Sequence, residues 1–283
     1  MIDTSFLHHL DRLSLIVNKR VTSNYTGERE ANYTGRGLIF KDHNMYAPGD
    51  DFRAIDWKVF ARTDKLFVKR YEEERNLVVH IIVDFSGSMG FGRKTTKADY
   101  ASMIGLGFAY MALRNNEKYV LSTFADKLEL FSAQKGKKQI VSILDYLNKR
   151  KPKGKSNLAD SLGKYKRLIN SKSLLVVISD FLYDLSQISE VLRRYKQHEI
   201  IFVQVLDKVE TKLEVEGDVK LIDSETQESM HTYISPLARK NYFGMLEEHK
   251  AKIKKACTEV GARFFSFSTD YPVFDAFYEM LKS

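Results

Sequence analysis

The chain has a single cysteine, Cys257, among 283 residues. One thiol excludes an internal disulfide framework and a zinc cluster of several thiolates, and its place among helix-forming residues suits a quiet buried thiol. Long apolar runs are missing too. The longest, "ASMIGLGFAYMAL" at 101–113, is well short of the roughly 20 residues that a membrane-spanning helix needs. No basic-then-apolar signal segment opens the sequence, so a cytoplasmic protein with no membrane span is expected. Forty-five Lys and Arg against 37 Asp and Glu leave a net charge of +8, but the lysines are scattered and thicken only in "NKRKPKGK" (148–155). Without an aromatic-interleaved basic stripe, specific nucleic-acid recognition is not expected. The seven histidines, His8, His9 and His80 among them, have no metal-ligand spacing, and the sequence has no repeats or low-complexity tracts.

What is present supports a substantial core, with 43% of residues hydrophobic and 12% aromatic. Phe6, Leu10, Leu13 and Val17 fall at helical spacing and predict an amphipathic helix over 3–20. Residues 21–76, punctuated by Gly27, Gly35, Gly37, Pro48 and Gly49, read as short strands and loops. From Leu77 onward, strand and helix patterns alternate. "LVVHIIVD", "SLLVVISD" (173–180), "EIIFVQVLD" (199–207) and "ARFFSFS" have the β-branched or aromatic density of buried strands. "KADYASMIGLGFAYMALR" (97–114) is a helix apolar on nearly every side. This order predicts a doubly wound, mostly parallel α/β sheet flanked by helices. A polar stretch near 211–234 has the pattern of a hairpin insert. The expected organisation is an N-terminal helix plus strand-and-loop segment, 1–76, packed on a main domain, 77–283.

In such folds ligands bind beyond the carboxyl ends of the strands. There "VDFSGSMG" sets Asp84, Ser86 and Ser88 at alternating positions, which an extended backbone points to one side. Hard oxygen donors of this kind suit Mg²⁺, which takes about six oxygens at roughly 2.0–2.1 Å. Asp180 ends another strand and Ser156 sits in a loop entering a helix, so three chain-distant loops are expected to bring oxygens to one rim. The rival reading is a capping cluster, because Asp and Ser also bond loop amides and helix starts.

These residues resemble the metal-ion-dependent adhesion site of von Willebrand factor A-type domains, written D-x-S-x-S, then Thr, then Asp. Asp84-Phe85-Ser86-Gly87-Ser88 is a full match. Ser156, in "GKSNLADSL", stands where that family usually has threonine, and Asp180 matches the last acid, although Phe181 replaces a frequent glycine. Upstream, "YAPGDDFRAIDWKVFARTDKLFVKRYEEER" (46–75) resembles the bacterial family of unknown function numbered fifty-eight, in which such a block precedes a von Willebrand A-like domain. The resemblance implies binding rather than turnover: a non-enzymatic adaptor or chaperone-like partner of a MoxR-type AAA+ ATPase. It also implies a Mg²⁺ site, with Mn²⁺ or Ca²⁺ as substitutes, held by Asp84, Ser86, Ser88, Ser156 and Asp180. A place left open in the coordination shell would take an acidic side chain from the ATPase or a client. Within the 46–75 block, Phe52 and Trp57 are expected as core, and Asp50, Asp51 and Arg53 as a turn network.

Other chemistries fit less well. An aspartyl phosphatase presents a second acid two residues on, where this chain has Ser86. A G-x-S-x-G elbow centred on Ser88 needs glycine at 86. "GKS" at 154–156 imitates the end of a P-loop, but the glycine it requires falls at Lys149. The alternative kept open is a metal-dependent hydrolase or phosphotransferase using the same strand ends.

Overall fold

The structure, a computed structural model, describes residues 38–73, 78–92, 94–131, 138–169, 171–213, 217–224 and 228–282. They belong to two units, one within Arg20–Asn76 and the other within Leu77–Ser283. The helix expected over 3–20 lies outside the described residues.

In the first unit β1 (Leu38–Met45) pairs antiparallel with β2 (Phe67–Glu73), with a register shift between Phe40 and Asp42. Between them lie a 3₁₀ turn (Phe52–Ala54) and a helix, α1 (Trp57–Thr63), where the sequence pattern predicted only strands and loops. The cause is a cap. Asp56 Oδ1 accepts from the backbone N–H of Lys58 (3.0 Å) and Val59 (3.4 Å), while its Oδ2 meets His43 Nε2 at 3.0 Å and Lys69 Nζ at 3.4 Å. One carboxylate thus satisfies a helix start and ties it to both strands. Asp50 and Asp51 do build the turn, accepting from the N–H of Ala47 and Arg53. Phe52 and Trp57 are not core, being 65% and 60% exposed; a two-stranded unit of this size has too little interior to bury every aromatic.

The second unit is a six-stranded sheet of order β10-β7-β6-β3-β4-β5. Its strands are β3 (Val78–Asp84), β4 (Lys118–Phe124), β5 (Leu128–Phe131), β6 (Leu174–Ser179), β7 (Glu199–Leu206) and β10 (Arg263–Ser268). All neighbours are parallel except β4 and β5, which form an antiparallel edge hairpin. The period of two along each strand divides the apolar residues between two faces. Val79, Ile81 and Val83 share one core with α2 (Lys97–Arg114), α3 (Lys138–Lys149) and α8 (Val273–Lys282). Ile82, Leu175 and Val177 pack on the other against α4 (Leu158–Tyr165), α5 (Leu185–Tyr195) and α7 (Pro236–Glu259). The fold is therefore an α/β, doubly wound, mostly parallel sheet with helices on both faces, as the alternation of patterns requires.

Close packing of α2 depends on a missing side chain: a Cβ on Gly107 would lie 2.1 Å from the ring of Phe277. Cys257 is buried on α7, and burial pushes its thiol up to about 12, which makes it inert. The 211–234 stretch contains the antiparallel pair β8 (Gly217–Ile222) and β9 (Ser229–Ile234), preceded by a short helix, α6 (Lys208–Lys212), that the sequence pattern did not predict. Among the described residues no helix is long and apolar enough to cross a membrane.

Candidate functional site

The chain runs outward from β3 to β4 on one side and returns to lay β6 on the other, so the winding direction reverses between β3 and β6. A crevice opens at such a reversal, beyond the carboxyl ends. Asp84 is the last residue of β3, and Asp180 follows the last residue of β6. Both are buried, at 0% and 2% exposure.

Beyond Asp84 the backbone stays extended through Ser86, which leads a 3₁₀ turn (Gly87–Gly90) without a side-chain capping bond. Two backbone hydrogen bonds lash this loop to the one carrying Ser156: Gly87 N–H to Gly154 O and Lys153 N–H to Phe85 O, each 2.9 Å. Gly154 is at φ +85, and a Cβ there would fall 2.1 Å from Asp126 Oδ2. Asp126 Oδ1 in turn accepts from Lys155 N–H at 2.7 Å. A glycine is thus required for this loop to reach the rim. At the third loop Phe181 sits at φ +50, the conformation a glycine would take without strain. Complete burial and stacking on Phe202 at 4.7 Å hold it there, with its carbonyl accepting from His249 Nε2 at 2.8 Å.

The five residues expected at the site come together in one hydrogen-bonded network. Asp84 Oδ1 accepts from Ser86 N–H at 2.8 Å. Its Oδ2 accepts from Ser179 Oγ at 2.7 Å, Ser156 Oγ at 3.2 Å and the Tyr183 hydroxyl. Ser86 Oγ and Ser88 Oγ lie 3.2 Å apart, and Ser88 Oγ donates to Asp180 Oδ2 at 2.7 Å. The Asp84 carboxyl is pushed up to about 6, first by burial and then by the neighbouring charge of Asp180, against the pull of its hydrogen bonds. Tyr183 is held well above the ordinary phenol range, chiefly by burial, so it serves as a donor.

Four side chains of this site were not among the sequence candidates. Ser179 and Tyr183 donate to Asp84, while Lys97 Nζ lies 2.9 Å from Asp180 Oδ2 and 2.8 Å from Glu210 Oε1. Only Lys97 carried a readable signal. It opens an 18-residue helix, where the macrodipole favours acidic residues, so a lysine there stands out. The others are ordinary residue types whose role depends on which strands are neighbours. Beside the site lies a cleft of ≈ 510 Å³ lined by Gly87, Gly90, Phe91, Pro152, Lys153 and Ser224, among others. Among the described residues no group of three or more His, Cys, Asp or Glu is placed to hold a metal. Any cation here would depend on two carboxylates and their companion hydroxyls.

A doubly wound α/β protein with a D-x-S-x-S loop and a second aspartate at its switch point is the class defined by this fold and site. The chain belongs to the family described as "Protein of unknown function DUF58", which matches residues 42–252. Among its relatives is the uncharacterized protein Rv1480 of Mycobacterium tuberculosis, 26% identical over 266 residues, covering 92% of this chain and 84% of that one. Another is the uncharacterized protein YeaD of Bacillus subtilis, 25% identical over 153 residues, covering 51% of this chain and 35% of the relative. Solved structures with similarity include BatB from Bacteroides thetaiotaomicron, with a TM-score of 0.45 and 13% identity, covering 73% of this chain and 100% of that one. The SpRpn10 VWA domain has a TM-score of 0.42 and 15% identity, covering 72% of this chain and 94% of that one.

Proposed function

We propose that this protein is a non-enzymatic, Mg²⁺-dependent protein-binding module, with the metal held by Asp84, Ser86, Ser88, Ser156 and Asp180. The observation that carries the proposal is the convergence of oxygens from three chain-distant loops on one switch-point rim, around a buried carboxyl pushed up to about 6. A divalent cation would relieve that carboxylate. The donor set fits. It is hard oxygen throughout, and the 3.2 Å between Ser86 Oγ and Ser88 Oγ is close to the ~3.0 Å between adjacent ligands in an octahedral Mg²⁺ shell.

Five donor residues leave one place open in a shell of about six oxygens, so the natural ligand is a further hard oxygen, such as an Asp or Glu side chain on another protein. Lys153, in the adjoining cleft, favours the same sign of partner. The choice of a MoxR-type AAA+ ATPase or its client as that partner rests on the family resemblance alone.

Titration calorimetry with Mg²⁺ tests the site directly. Wild-type protein is expected to bind, and the double variant Asp84→Ala/Ser86→Ala is not. No binding by wild type, or equal binding by both, would remove the metal from the proposal. Pull-down from native lysate with and without a chelator then tests the partner, whose retention is expected to require the metal. A screen against phosphoester and ester substrates completes the test, because turnover that depends on Asp84 would make the protein an enzyme.

A further inference from the structure

Lys97 is an anomaly on three counts. It is 1% exposed, although a buried ammonium gives up nearly all its hydration. It occupies the first turn of α2, where the positive end of the helix dipole opposes a cation. It is also tied to the D-x-S-x-S loop through its backbone, whose N–H donates to Phe91 O at 3.0 Å. A residue so placed needs negative charge facing it, and two carboxylates do so: Asp180 Oδ2 at 2.9 Å and Glu210 Oε1 at 2.8 Å. Burial acts to lower the Lys97 ammonium, and these two charges more than offset it, keeping the group cationic.

Glu210 is itself held. Its Oε2 accepts from Asp207 N–H at 2.7 Å in the capping box that starts α6, so the acid is aimed at Lys97 by the local structure. Asp180 Oδ2 receives Ser88 Oγ at 2.7 Å as well as the ammonium. A carboxylate that the metal proposal assigns to a divalent cation is therefore already bonded to a monovalent one.

We propose that the Lys97 ammonium is a resident cation of the strand-end site, holding Asp180 in place when no metal is bound and competing with a divalent metal for that carboxylate. This rests on the metal proposal above for its second half and on the geometry for its first. Assembly of the site then does not depend on metal, and Lys97 sets how much metal it takes to load it. The Lys97–Asp180–Glu210 bridge also joins the loops after β6 and β7, so loading the metal would loosen that bridge and report site occupancy to α6.

The test is a Mn²⁺ titration, followed by the loss of the free-ion paramagnetic resonance signal, on full-length wild type and Lys97→Met. Removal of a positive charge this close to the metal is expected to tighten binding by about tenfold or more. Tighter binding supports the proposal, and unchanged or weaker binding by folded Lys97→Met overturns it. No binding by either protein removes the metal proposal, and the competition with it. Binding by wild type that Lys97→Met leaves unaltered overturns the competition and leaves the metal proposal standing. If Lys97→Met is not recovered folded, Lys97→Gln keeps a donor for Asp180 without the charge and is judged by the same outcomes. A melting curve in chelator adds a readout independent of metal. Wild type is expected to remain folded and to melt cooperatively in chelator, with Lys97→Met melting lower there, and loss of the wild-type fold in chelator would overturn the first half.

Discussion

Asp84 and Asp180 close two neighbouring strands, both are buried, and they are neutralised in opposite ways. Asp84 is surrounded by neutral donors, a backbone N–H and the hydroxyls of Ser156, Ser179 and Tyr183. Asp180 faces an ammonium. Hydrogen bonds from neutral groups do not return what a carboxylate loses on leaving water, and Asp84 is pushed up to about 6. The difference teaches that the demand for positive charge at this rim is concentrated on the Asp84 side, and that the Asp180 side already has its cation.

The largest expected break in this comparison is Lys97→Ala in chelator at neutral pH. It strands Asp180 in the interior and should cost about 3–5 kcal/mol in denaturant unfolding. Asp84→Asn removes a carboxylate that burial disfavours, and is expected to be neutral or stabilising under the same conditions. Equal losses for the two variants would mean that the two carboxylates are not differently compensated.

A smaller effect is expected with pH. A carboxyl raised from 3.8 to about 6 on folding contributes no penalty while both states are protonated, below about pH 4. Stability is then lost as pH rises from there through 6, by about 3 kcal/mol from this group. His80 opposes the trend: buried against Tyr165 and lowered to about 4 by that burial, it loses stability as pH falls from 6.5 toward 4, by roughly 3 kcal/mol. The difference between wild-type and Asp84→Asn unfolding curves isolates the Asp84 part, and saturating Mg²⁺ should flatten it. A difference curve that is flat in chelator would show that Asp84 has no unmet charge.

The smallest expected effect is that of Tyr183→Phe. Removing one of the hydroxyl donors to Asp84 is expected to cost about 1–2 kcal/mol and to move the inflection of the same difference curve to higher pH. Mn²⁺ titration of this variant checks whether the phenol tunes the site or only packs it. Metal affinity unchanged within error would assign Tyr183 to packing alone.

Much of the architecture was legible because it is local. The density of Val and Ile in 78–83 and 174–178 marks strands buried on both faces, and such strands need helices over each. Asp84 and Ser86 were legible for the same reason, since alternation in an extended segment is local, whereas Ser88 lies in the 3₁₀ turn and not in extended backbone. The helix α1 was not, because its start depends on Asp56 being fixed by His43 and Lys69 from two other strands. Nor was the exposure of Phe52 and Trp57, since side-chain type says what prefers an interior and not whether a small unit has one. Phe181 shows a third kind of limit. A left-handed position was foreseeable from the glycine usual there, but that a phenylalanine holds it follows from its seat on Phe202.

By itself the sequence determined the alternation of strands and helices, and the presence of two aspartates and three serines at loop positions following them. Tertiary structure alone decided the counter-charges. Lys97 reaches Asp180 across 83 residues and Glu210 across 113, and Tyr183 reaches Asp84 across 99. Periodicity is set within a few residues along the backbone, whereas the partner of a buried charge is set by which strands the winding makes neighbours.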